Sequence, residues 1–205
     1  MINIFKSIFV PHRILASKAI LWSLACGIVL MTSRWGKLPI LESVLFLIAC
    51  ILVGVATIGR LWCSLYICGY KTKHLVTSGP YSMCRNPLYF FSAVGALGLG
   101  FATETFTVPV LLGILFAIFY PHVIRAEETK LLRRHGDAYE HYLRSVPRFW
   151  PRLTSIQEPE KYSVSPVKYR QAMFDALWFI LILGIIELSE ALRETGFLPT
   201  IMKLR

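Results

Sequence analysis

Residues 73–89 read KHLVTSGPYSMCRNPLY, a polar and turn-rich stretch set between strongly apolar runs at 39–59 and 87–102. Ser78, Gly79 and Pro80 are turn formers, so the stretch is not one helix. Asn86 followed by Pro87 reads as an N-cap and a first helical position, where the missing proline N–H removes no helix bond. A turn of this kind inside an apolar chain calls for a functional reason.

Outward from it, the chain is 205 residues long, 55% apolar, with a mean hydropathy of +0.56. Its apolar residues gather in runs at 14–31, 39–59, 87–102, 106–124 and 172–188, each near the roughly 17–25 residues needed to cross a bilayer core. These runs predict an all-α fold: a polytopic membrane bundle of about five transmembrane helices. The run at 87–102 reaches only about 24 Å at about 1.5 Å per residue, so it either tilts little or begins below the lipid surface, within a protein-lined pocket. The run at 14–31 has no small-residue cleavage site before Pro39 and is followed by another span, which reads as retained helix rather than a signal.

The net charge of +10 is a matter of topology, not of nucleic acid. Of 22 Lys and Arg, 17 fall before residue 19, between Arg60 and Arg85, or between Arg125 and Arg170. The positive-inside rule then puts the N-terminus and the polar loops in the cytoplasm, and the basic excess meets anionic lipid. The five cysteines, Cys26, Cys50, Cys63, Cys68 and Cys84, show neither a CxxC pair nor Cys/His ligand spacing, so no metal site or disulfide framework is expected. Gly95, Gly98 and Gly100 lie in an apolar run rather than after a strand, which favours helix packing over a phosphate loop.

A second polar block, residues 125–151, reads RAEETKLLRRHGDAYEHYLRSVPRFWP. It predicts a helix over 126–135 capped by Gly136, then a short helix over 137–146 with Tyr139, Tyr142 and Leu143 on one face. Only Thr103, Glu104 and Thr105 separate the third and fourth spans, so these form a tight antiparallel hairpin. The hairpin brings the two polar blocks together at one membrane face. The chain divides into residues 1–70, an N-terminal hairpin with a helical extension; 71–153, the two blocks and their hairpin; and 154–205, a polar connector and a further span.

Together, His74, Leu75, Val76, Thr77, Ser78, Gly79, Tyr81, Arg85, Pro87 and Tyr89, then Glu127, Glu128, Gly136, Tyr139, Tyr142, Val146, Pro147 and Arg148, make the chain resemble the isoprenylcysteine carboxyl methyltransferase and phospholipid methyltransferase superfamily. The resemblance runs from about Tyr70 to Leu153 and departs at Asn86, where the family usually has histidine. Asn keeps a donor and an acceptor but does not titrate.

The resemblance implies an S-adenosylmethionine site on the cytoplasmic side, lined by Lys73, His74, Leu75, Val76, Tyr81, Asn86, Pro87, Leu88 and Tyr89, with Glu127 facing it from the second block. Arg85 is suited to a bidentate grip on the carboxylate of the cofactor's methionine end. Adjacent helical residues diverge by about 100°, so one of Glu127 and Glu128 faces the cofactor while the other meets a basic partner. Glu128 is the candidate base should the acceptor be an ammonium headgroup. Arg125 lies near the family's substrate-side arginine, at a different spacing from the acidic pair. The implied partner is a membrane lipid or lipidated substrate. Two rival readings are an NADPH-dependent sterol-type reductase of a related superfamily and a noncatalytic membrane scaffold.

Overall fold

The computed structural model describes residues 31–33, 38–68, 74–197 and 202–204. Lys73, Tyr70, Cys26 and nearly all of the predicted 14–31 span lie outside them. Six α-helices follow in order: α1 (Pro39–Ile67), α2 (Pro80–Met83), α3 (Pro87–Phe101), α4 (Thr107–His135), α5 (Asp137–Ser145) and α6 (Pro166–Glu194), with a 3-10 turn at Leu153–Ser155. The fold is helical, as expected. The strand structure among the described residues is a three-residue parallel pairing of β1 (Met31–Ser33) with β2 (Met202–Leu204).

Among the described residues three helices, α1, α4 and α6, are long and apolar enough to cross a membrane, and α3 is a shorter apolar helix. Large side chains such as Ile40, Ile58, Phe119, Phe174 and Leu181 stand exposed along the three long helices. That much outward apolar surface is costly in water and ordinary against lipid.

The hairpin of α3 and α4 forms as expected, through a turn in which Glu104 takes a left-handed φ of 54°. The turn is held by the Thr103 hydroxyl, which donates to the Gly100 carbonyl at 2.7 Å and lies 2.9 Å from that of Thr105. The glycines of α3 are packing positions: a methyl group would collide with the Phe179 ring at Gly95, with Leu52 at Gly98 and with Pro109 at Gly100. Close backbone approach between membrane helices depends on such residues.

α6 is docked, not appended. Ile186 is buried with Ala49 of α1 and Ala102 at the end of α3. Arg60, inside α1, donates to Ser92 Oγ of α3 at 2.5 Å and lies over the Phe179 ring of α6 at 5.4 Å. One half-buried cation thereby pins three helices.

Two local expectations are corrected. The helix expected over 126–135 is continuous with the fourth span, because nothing around Arg125 breaks the helix and the membrane surface alone does not. Pro121 sits inside this 29-residue helix. At Asn86 the N-cap position is as read and Pro87 is the first helical residue, but the side chain makes no cap bond. Its amide instead donates to the Arg148 carbonyl at 3.0 Å. Gly136 ends α4 with a φ of 52°, as its cap reading requires.

Candidate active site

The two polar blocks are joined residue by residue. Arg85 N–H donates to the Pro147 carbonyl at 2.9 Å, Arg152 N–H to Met83 at 3.1 Å and Gly79 N–H to Gln157 at 2.8 Å. The Tyr142 hydroxyl donates to the Tyr81 carbonyl at 2.6 Å, and Ser82 Oγ accepts from Gln157 N–H at 2.9 Å. Gly79 has a φ of +60°, and the Tyr66 ring lies where a side chain there would be. Glycine is required on both counts.

Behind this seam is a charged knot. Glu128 is buried, with Oε1 3.5 Å from Arg85 Nε and Oε2 accepting from both Nε and Nη2 of Arg148. Arg85 also donates to the Leu143 carbonyl at 3.2 Å. The two acidic residues diverge as helical geometry demands. Glu128 turns inward to the arginines, while half-buried Glu127 lies within hydrogen-bonding reach of the Tyr89 hydroxyl and close enough to Tyr81 for its charge to act there. Burial first, then the nearby Cys63, Tyr142 and Glu127, pushes the Tyr81 phenol well above its ordinary range. Burial likewise pushes the Cys84 thiol up to about 12 and Tyr139 up to about 12. None of the three ionises near neutrality.

His74, Leu75 and Val76 line a cavity of about 370 Å³ with Thr77, Ser78 and Lys161–Ser163. The connector that supplies the last three was read from sequence only as a polar link. Its wall is fixed by Glu158, which accepts from Trp62 Nε1 at 3.1 Å and from the Tyr66 hydroxyl at 3.3 Å. The Tyr162 hydroxyl donates to the Tyr66 carbonyl at 2.7 Å, with the two rings 4.7 Å apart. Aromatic residues in a polar connector were the available signal.

Leu88 and Pro87 form the first turn of α3, where Leu88 O accepts from Ser92 Oγ at 2.7 Å. Arg125 is exposed on α4, and it takes no part in the ion pairs of the knot. From Tyr89 a run of aromatic contacts leads outward: Tyr89 to Tyr120 at 5.1 Å, Tyr120 stacked on Phe116 at 3.6 Å, Phe116 to Phe149 at 6.1 Å, and Phe149 to exposed Trp150 at 5.5 Å. Among the described residues no group of three His, Cys, Asp or Glu is arranged to hold a metal ion, and four cysteines are free.

A membrane bundle with two polar blocks joined at one end of an apolar hairpin defines the class, and the comparisons give the family. The phospholipid methyltransferase family model matches residues 44–138. The chain is 38% identical over 189 residues to the nickel-cobalt-cadmium resistance protein NccN of Alcaligenes xylosoxydans xylosoxydans, covering 90% of this chain and 88% of that one. It is 34% identical over 193 residues to the cobalt-zinc-cadmium resistance protein CzcN of Cupriavidus metallidurans, covering 94% and 88%. Over 77 residues, 38% of this chain and 33% of the other, it is 34% identical to protein-S-isoprenylcysteine O-methyltransferase of Schizosaccharomyces pombe. No solved structure matches. The chain is an integral membrane protein of the isoprenylcysteine carboxyl methyltransferase and phospholipid methyltransferase superfamily.

Proposed function

We propose that this protein transfers a methyl group from S-adenosylmethionine to a lipid or lipidated acceptor held in the membrane. The observation that carries this reading is that residues 74–78 of the first polar block line a cavity, in a chain of this superfamily whose Glu127 lies near enough to Tyr81 and Tyr89 for its charge to act on both phenols. When bound, S-adenosylmethionine supplies a methyl group carried on a cationic sulfur. The residues present fit such a group: Glu127 offers a carboxylate to a sulfonium, and the Tyr81 and Tyr89 rings beside it offer aromatic faces. The first turn of α3, at Leu88 and Tyr89, presents backbone N–H groups and the positive end of the helix dipole to anionic ligand atoms.

Arg85, Arg148 and Glu128 act as positioning residues in this scheme, since they bind one another and the chain across the seam. Glu128, held by two guanidinium groups, lacks the freedom of a general base. An acceptor already nucleophilic, such as a carboxylate, therefore suits the site better than an ammonium headgroup. The aromatic run from Tyr89 to Trp150 offers an apolar approach from the bilayer, and exposed Arg125 is left to an anionic group on the acceptor. The excess of Lys and Arg in the loops at this face supports a cytoplasmic orientation by the positive-inside rule. The long relatives are named for metal resistance; in this chain such a contribution would act through a methylated membrane component.

Calorimetry on the purified protein tests the reading. S-adenosylmethionine is expected to bind and NADPH not to, with Glu127→Gln and Tyr81→Ala weakening the former at least tenfold. Binding of NADPH alone would favour the reductase, and binding of neither the scaffold. Labelled methyl donor given to cells with and without the gene would then show the acceptor among extracted lipids and membrane proteins.

A further inference from the structure

We propose that Lys161, in the connector before α6, holds the carboxylate of the cofactor's methionine end across the cavity from residues 74–78. The inference deepens the methyltransferase reading and rests on it. The basic side chains lining that cavity are those of Lys161 and His74, among the described residues no acidic one lines it, and Thr77, Ser78 and Ser163 add hydroxyls. Its volume of about 370 Å³ lies in the range of small-molecule sites, about 300–1,000 Å³.

The residue that the sequence nominates for the carboxylate, Arg85, is already directed at Leu143 O and Glu128, and Arg148 shares the same acid. A carboxylate in the cavity therefore needs another cation. Among the described residues Lys161 makes no ion pair. Its position is nonetheless set, because Glu158 on one side and Tyr162 on the other are both bonded to α1. Lys161 thus sets a positive charge on the connector side of the cavity, opposite residues 74–78. A ligand that carries a carboxylate has the matching charge. The connector lies beyond the residues matched by the family model, so this part of the site belongs to the C-terminal extension.

The test compares calorimetric binding of S-adenosylmethionine and of its decarboxylated form, which keeps the sulfonium and lacks the carboxylate. Wild type is expected to prefer the carboxylated form about tenfold, the scale of one charge-assisted hydrogen bond. Lys161→Met should bind both forms with the weaker affinity, and Lys161→Arg should keep most of the preference. Lys161 is exposed, so these changes leave the fold in place, which thermal midpoints in detergent would verify. A methionine variant that retains the wild-type preference, or that loses affinity for both forms equally, overturns the assignment. Wild type that binds neither form removes the methyltransferase reading itself, a separate result.

Discussion

Glu128→Gln removes the one negative charge shared by Arg85 and Arg148 and leaves a buried guanidinium without its counter-charge. The side chains of Arg85 and Glu128 are 12% and 10% exposed, against 44% for Arg148. Breaking a buried pair from one side costs about 3–5 kcal/mol, whereas a largely solvated partner contributes about 1 kcal/mol. Glu128→Gln should therefore cost about 3 kcal/mol and Arg148→Ala about 1 kcal/mol. For a chain of this size each kcal/mol is worth roughly 2–4 °C, so the expected losses are about 6–12 °C and about 2–4 °C. The assay is the fraction of monodisperse protein left in detergent after stepped heating. Arg85→Met combined with Glu128→Leu should recover most of the loss, because an apolar replacement leaves no stranded charge. Equal shifts for the two single variants, or a Glu128→Gln midpoint within about 2 °C of wild type, would refute the account of the knot.

Tyr142→Phe deletes the bond to the Tyr81 carbonyl and should lower stability by about 1–3 kcal/mol, the cost of stranding a buried acceptor, measured in the same heating assay. At the other end of the bundle, burial first and then the charges of Glu190, Glu42 and Glu187 push the Glu104 carboxyl up to about 7. A folded-state pKa above the unfolded one gives stability that is complete below the ordinary carboxyl value of 4.5 and is lost as pH rises through about 7. The thermal midpoint should thus fall between about pH 4.5 and 7 in wild type, level off above that, and stay level throughout in Glu104→Gln; parallel profiles would count against it.

Local signals gave the helix limits that depend on single residues. Pro87 starts α3 and Gly136 stops α4 because proline and glycine constrain the backbone wherever they stand. The hairpin, and with it the convergence of the two blocks, followed from a three-residue gap between apolar runs. What could not be read was the choice among partners. Asn86 has the chemistry of a cap, yet the Arg148 carbonyl takes its amide. Arg85 has the fork for a carboxylate, and the carboxylate it meets is Glu128 in its own chain. The role of the connector was hidden for the same reason: Trp62 and Tyr66 meet Glu158 across 96 and 92 residues, a separation that no periodicity reports.

The seam between the polar blocks also sets a timetable for biosynthesis. The side-chain bonds that hold residues 81–86 in place reach partners 58 to 75 residues further along, beyond a whole helical hairpin. At about 5–20 residues per second of translation, the first block waits roughly 3–15 s for its mate. The connector wall comes later still. A nascent chain halted after the hairpin would be inserted in the bilayer with its first polar block still unpartnered, and the seam closes only once residues 142–157 have been made.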